Sequence, residues 1–110
     1  MTSNEIRYEV VWGIKARVRL AEMQPFKINP KLVFRNSKDQ LALKPKDKAL
    51  GFVDNRGFEF DGYYWAYINN VIIVYQVLDE ENLVLVDACY SALTGFALKT
   101  FFGEHDTDPL

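Results

Sequence analysis

The side chains in this 110-residue chain whose types and spacing could do chemistry are cations and tyrosines. Lys44, Lys46, Lys48 and Arg56 form the densest basic stretch, KPKDKALGFVDNR, and lysines at that spacing suit contact with phosphate or with an acidic partner. Tyr63, Tyr64, Trp65 and Tyr67 crowd one short run, and Tyr75 and Tyr90 follow on later runs. Aromatic rings so placed can stack bases or anchor a partner peptide, or simply pack a core. A phenol near pKa 10 works as a base near neutrality only beside a cation, and no cation is near these tyrosines in sequence.

Other chemistries are poorly supplied. His105 is the only histidine and stands in an acidic tail, which rules out a histidine-based triad or a His-rich metal site; no metal and no cofactor is expected. The single cysteine, Cys89, cannot close an intramolecular disulfide and reads as a small hydrophobe at a strand end. The six glycines are scattered and make no phosphate loop; Gly13, Gly51 and Gly57 fit turns.

The elements that must position these residues follow from periodicity. Glu5 to Trp12 alternates as a first strand, with Ile6, Tyr8 and Val10 on one face. After Gly13, the helical spacing of Ile14, Val18 and Ala21 predicts an amphipathic helix with those residues inward and Lys15, Arg17 and Arg19 decorating its outer sides. Asn29-Pro30 reads as a cap and a first-turn proline opening a second helix through about Leu43, with a strand over Lys31 to Phe34 as the alternative because the apolar positions Val33, Phe34 and Leu41 are sparse. Residues 44–57 read as a loop. Three strands then follow as a meander: Phe58 to Ile68, Val71 to Leu78 and Leu83 to Tyr90, the first two joined by Asn69-Asn70, a pair that tolerates positive φ. Leu93, Ala97 and Phe101 are spaced for a terminal helix, and 103–110 is expected to be a flexible acidic tail.

The order βααβββ(α) predicts an α+β fold: one domain over 1–110, with an antiparallel-dominated sheet of about four strands and two N-terminal helices on one face. Both faces of Val71 to Leu78 are apolar, Val71, Ile73, Tyr75 and Val77 on one and Ile72, Val74 and Leu78 on the other. Two helices cover only one of them, so the second needs the terminal helix, another copy or a partner segment.

Charge is divided along the chain. Through Arg56 there are 12 Lys and Arg against 6 Asp and Glu; from Gly57 onward there are 1 against 9, within a net charge of −2. That balance disfavours non-specific nucleic-acid binding while leaving room for a local basic patch. No apolar run approaches the roughly 20 residues of a membrane helix. With no leader-like N-terminus, a cytoplasmic location is the expectation.

Over about positions 5 to 90 the sequence resembles the RelE/ParE superfamily of bacterial toxin–antitoxin toxins. The resemblance lies in YEVVW at 8–12, in Arg19-Leu20-Ala21 within the first helix, in the proline-containing basic loop DQLALKPKDKALG and in the hairpin VIIVYQVLDEENLVLVDA. It implies a four-strand sheet with two helices on one face, the other face meeting a cognate antitoxin or ribosome-bound messenger RNA; one branch of the superfamily is directed at gyrase instead. The ribosome-dependent nucleases use Lys, Arg, Tyr or His on the sheet, because the 2′-hydroxyl must lose a proton, the phosphorane must be neutralised and the leaving oxygen protonated. This chain departs from that pattern: Tyr63 to Tyr67 contains no lysine, Val71 or Ile72 replaces the usual arginine, and Cys89-Tyr90-Ser91-Ala92 stands where an arginine or histidine is common. The expectation is a toxin-fold protein binding an antitoxin, its activity open; a non-enzymatic binding module, homodimeric or partner-bound, is the alternative. For RNA or partner contact the candidates are Lys44, Lys46, Lys48, Arg56, Tyr63, Tyr67, Tyr75 and Tyr90.

Overall fold

The computed structural model describes residues 6–53, 59–92, 94, 97, 100 and 101, without the side chain of Phe26. Its strands form a single five-stranded sheet, ordered β1-β5-β4-β3-β2. The α+β class stands, with one strand more than the sequence suggested.

β1 (Glu9–Trp12) runs parallel to β5 (Leu83–Ser91), Glu9 opposite Leu83 and Trp12 opposite Val86. Gly13 ends it because the chain turns hard against β5 there: its N–H donates to the Val86 carbonyl at 2.9 Å, and a Cβ at this position would stand 3.3 Å from that same oxygen. α1 (Ile14–Ala21) then packs along β5. It buries Ala16 and Leu20, while Ile14 is 79% and Val18 53% exposed. This reverses the expected inward face. The close start at Gly13 brings the helix so near the sheet that small Ala16 takes the contact, its carbonyl lying 3.5 Å from the Cys89 sulfur.

α2 (Pro30–Gln40) is capped as its sequence dictates, Asn29 accepting from the Leu32 N–H at 3.2 Å with Pro30 in the first turn. Inside it Ser37, fully buried, accepts from the Trp12 indole N–H at 2.9 Å and donates to the Phe34 carbonyl at 2.8 Å. The stretch read as a loop contains a single helical turn, α3 (Pro45–Lys48), and a two-residue edge strand, β2 (Gly51–Phe52). Lys44 precedes α3 at φ 52, and Pro45 fixes the first turn.

β3 (Tyr64–Ile68), shorter than the predicted Phe58 to Ile68, turns into β4 (Val71–Leu78) through Asn69 and Asn70 at φ 52 and 67, the geometry that asparagine accepts in a two-residue hairpin. β4 is antiparallel to both neighbours, and a bulge lies opposite Val74 and Tyr75, where β5 inserts Asp87 between Val86 and Ala88.

Every residue from Val71 to Tyr75 is fully buried. Burial of a Val or Ile side chain is worth about 1.5–3 kcal/mol, so both sheet faces contribute to the core and both require cover. On the first face Val71, Ile73 and Tyr75 meet Trp12, Ala16, Leu20 and Val33 from β1 and the helices. On the second, Ile72 and Val74 join Trp65 and Ala88 under Val53, Ala92, Ala97 and Phe101. The cover of the second face is thus supplied by the chain itself. Phe101 donates its N–H to the Ala97 carbonyl at 2.9 Å, a helical turn where the terminal helix was expected; Leu93 and the tail 103–110 lie outside the described residues. No helix among the described residues is long and apolar enough to cross a membrane.

Candidate functional site

The aromatic residues divide by strand alternation. Tyr64 pairs with Tyr75 and faces the helices, where the two rings stack at 5.8 Å. Tyr63, Trp65 and Tyr67 fall on the second face, and Tyr90 joins them from β5, opposite Ile72, which also faces Tyr67 from β4. Trp65 and Tyr90 hold Phe101 between them at 5.4 and 5.7 Å. Tyr63 sits edge-on to Phe60 at 5.3 Å, and Tyr67, 41% exposed, donates its hydroxyl to the Asn70 side chain at 2.8 Å.

Tyr75 is separated from this group. It is fully buried on the helix side, and its hydroxyl donates to the Pro45 carbonyl at 2.7 Å, holding α3 down on the first face. The loop lysines therefore stand away from the aromatic face. Lys46 bonds Asp79 at 2.5 Å, Asp79 also accepts from the Tyr8 hydroxyl at 2.7 Å, and Lys48 donates to the Gln40 carbonyl at 2.8 Å. Lys44 and Lys46 line one hollow with Tyr8 and Asp79. Arg56 lies outside the described residues. Of the eight candidates, the structure thus brings Tyr63, Tyr67 and Tyr90 to one face, the lysines to the opposite side, and Tyr75 into the core.

Electrostatics on the aromatic face oppose proton abstraction. Burial raises the phenol pKa of Tyr63, Tyr75 and Tyr90 above the ordinary 10.0, with Asp87 adding to the rise at Tyr63. The polar pair on the face is Gln76 donating to Asp87 at 2.7 Å beside the bulge. Burial likewise pushes the Cys89 thiol up to about 12, where it is not a nucleophile. Among the described residues no cluster of His, Cys, Asp and Glu could hold a metal ion.

One cation reaches this face unannounced by sequence. β1 pairs only with Leu83 to Val86, so among the described residues no strand flanks β5 on that side beyond Val86, and Arg19 of α1 sets its guanidinium 5.4 Å from the centre of the Tyr90 ring. Arg19 lowers the Tyr90 pKa, but burial outweighs it. Helical position alone carried no signal of this contact between residues 71 apart.

No family model matches this chain, and no curated protein does. Among solved structures, the chain is similar to the toxin–antitoxin complex RelBE2 from Mycobacterium tuberculosis, with a TM-score of 0.62 at 20% identity over 78% of this chain and 92% of that one. A second is a double mutant of the E. coli toxin RelE in the free state, with a TM-score of 0.51 at 15% identity over 86% of this chain and 94% of that one. The chain has a RelE-like toxin fold. Its α+β arrangement agrees in class with the one that the sequence resemblance implied, with a fifth strand and the short α3 added, while β3, β4 and β5 contain no lysine or arginine.

Proposed function

We propose that this chain is the toxin-fold member of a type II toxin–antitoxin pair, bound by a cognate antitoxin and acting by binding rather than by cutting RNA. The observation that carries this reading is a RelE-like fold whose strands β3, β4 and β5 contain no lysine or arginine and whose second sheet face is closed at its centre by Ala97 and Phe101. Cleavage through a 2′-hydroxyl needs a base, a neutralising cation and an acid within reach of one phosphate. Among the described residues, tyrosines held protonated, a Gln76–Asp87 pair and Arg19 over a ring do not assemble that set. Of the two targets the resemblance implies, this face counts against messenger RNA and leaves gyrase.

The reading is tested by primer extension on messenger RNA from a cell-free translation reaction, with and without the purified chain. The expected result is intact message alongside a gyrase supercoiling reaction that the chain inhibits. Cuts at codon-spaced positions on translated message alone would overturn it.

A further inference from the structure

A hollow of about 350 Å³ opens beside α3, at the end of the sheet where β1 begins and β4 ends. Its lining carries opposite charges from two elements. α3 and its cap bring Lys44 and Lys46, while Asp79 comes from the turn after β4, where it opens the acidic run Asp79-Glu80-Glu81. Asp47 balances the set at two cations and two carboxylates, and Ile6, 55% exposed, and Pro45 supply apolar surface. Lys46 joins the two elements through Asp79 Oδ2 at 2.5 Å, and the Tyr8 hydroxyl donates to Oδ1 at 2.7 Å.

Holding α3 in place does not account for this arrangement. The buried Tyr75 hydroxyl already ties Pro45 to the sheet, and an ion pair with both side chains half exposed adds little to that. Lys44 adopts φ 52 and ψ 53, a left-handed backbone that lysine disfavours and that collects where a side chain must be held in place for function. The hydrogen bonds among the three polar groups hold the Asp79 carboxyl below its ordinary pKa and the Lys46 ammonium and Tyr8 phenol above theirs. Perturbed groups converging in a hollow of this size mark a small-molecule site.

The charges select the ligand. A phosphate at Lys44 and Lys46 would meet the carboxylates of Asp47 and Asp79, and a simple cation at Asp79 would meet Lys46. A zwitterion meets neither penalty: its carboxylate takes the lysines and its ammonium takes Asp79, so two charge-assisted bonds replace the one internal pair. Ile6 and Pro45 then suit a short apolar side chain.

We propose that this hollow binds a free α-amino acid with an apolar side chain, its carboxylate on Lys44 and Lys46 and its ammonium on Asp79. The site lies on the helix side of the sheet, apart from the aromatic face, and stands or falls separately from the toxin–antitoxin reading.

The test is isothermal titration of the full chain with L-leucine, beside 4-methylpentanoate, which lacks the ammonium, leucine amide, which lacks the carboxylate, and inorganic phosphate. Leucine should bind saturably at one site per chain, and the three single-charge probes at least about tenfold more weakly. Asp79→Asn and Lys44→Asn should each weaken leucine binding about tenfold. Both side chains are exposed, and asparagine accepts the left-handed backbone at 44, so both variants should fold. No saturable leucine binding, a single-charge probe that binds as tightly as leucine, or an unchanged affinity in Asp79→Asn would overturn the proposal. Glycyl-leucine binding as tightly as leucine would also overturn it, by assigning the hollow to a peptide, whose terminal charges stand farther apart.

Discussion

The Arg19 guanidinium stands 5.4 Å from the centre of the Tyr90 ring, although one belongs to the helix layer and the other to the opposite face of the sheet. The contact has room because β1 stops four residues into β5 and, among the described residues, no strand flanks β5 on that side beyond Val86. A cation over a partly exposed ring is worth about 0.5–1 kcal/mol. Arg19→Ala should therefore cost about that much in urea unfolding. It should also raise the Tyr90 phenol further, because the guanidinium is what lowers it. Tyrosinate absorbance in wild type, Arg19→Ala and Tyr90→Phe isolates the change; an unshifted titration would remove the contact.

Tyr75 makes the fold sensitive to alkali. Its folded pKa lies above the unfolded value of about 10, with burial the main cause, and Tyr63 and Tyr90 shift the same way. A raised folded pKa gives stability that is complete below the unfolded value and is lost as pH climbs past it. Unfolding free energy should thus be flat near neutrality and fall above about pH 10. Tyr75→Phe should flatten that fall while costing about 1 kcal/mol at pH 7, since the Pro45 carbonyl loses its donor.

Ser37 is fully buried, and its hydroxyl bridges Trp12 to the α2 backbone. Ser37→Ala would leave the Trp12 indole N–H without a partner in a dry core. The expected loss is about 1–3 kcal/mol by chemical denaturation. A neutral result would mean that the indole finds another acceptor.

Cys89 is fully buried with its thiol pushed up to about 12, so almost no thiolate exists at pH 8. A disulfide reagent should leave the native chain unlabelled and modify one thiol per chain only after denaturant is added. Rapid native labelling would show that α1 lifts from β5.

Much of this architecture was legible in the sequence where one residue decides the local backbone. Asn69-Asn70 specified its turn by tolerating positive φ, Asn29-Pro30 its helix start, and the apolar run from Val71 the central strand with its two buried faces. The inward face of α1 was not legible. Its sequence IKARVRLA carries apolar side chains at 14, 16, 18, 20 and 21, so periodicity allows either side to be buried. The choice is made by the close approach at Gly13, a tertiary fact that admits alanine against β5 and turns isoleucine and valine outward. The same holds for the candidate site. Strand alternation placed Tyr63 and Tyr67 together, but the separation of the lysines from them depends on Tyr75 holding α3 to the far side, a contact spanning 30 residues.

The most direct test of the central claim is the mass, by light scattering, of the chain co-expressed with the product of the reading frame adjoining its own. A toxin-fold chain held by an antitoxin should elute as one species containing both proteins, and the chain expressed alone should be poorly soluble or arrest growth. A chain that elutes by itself, as a monomer or a homodimer, with the second protein separate and growth unaffected, would contradict the account.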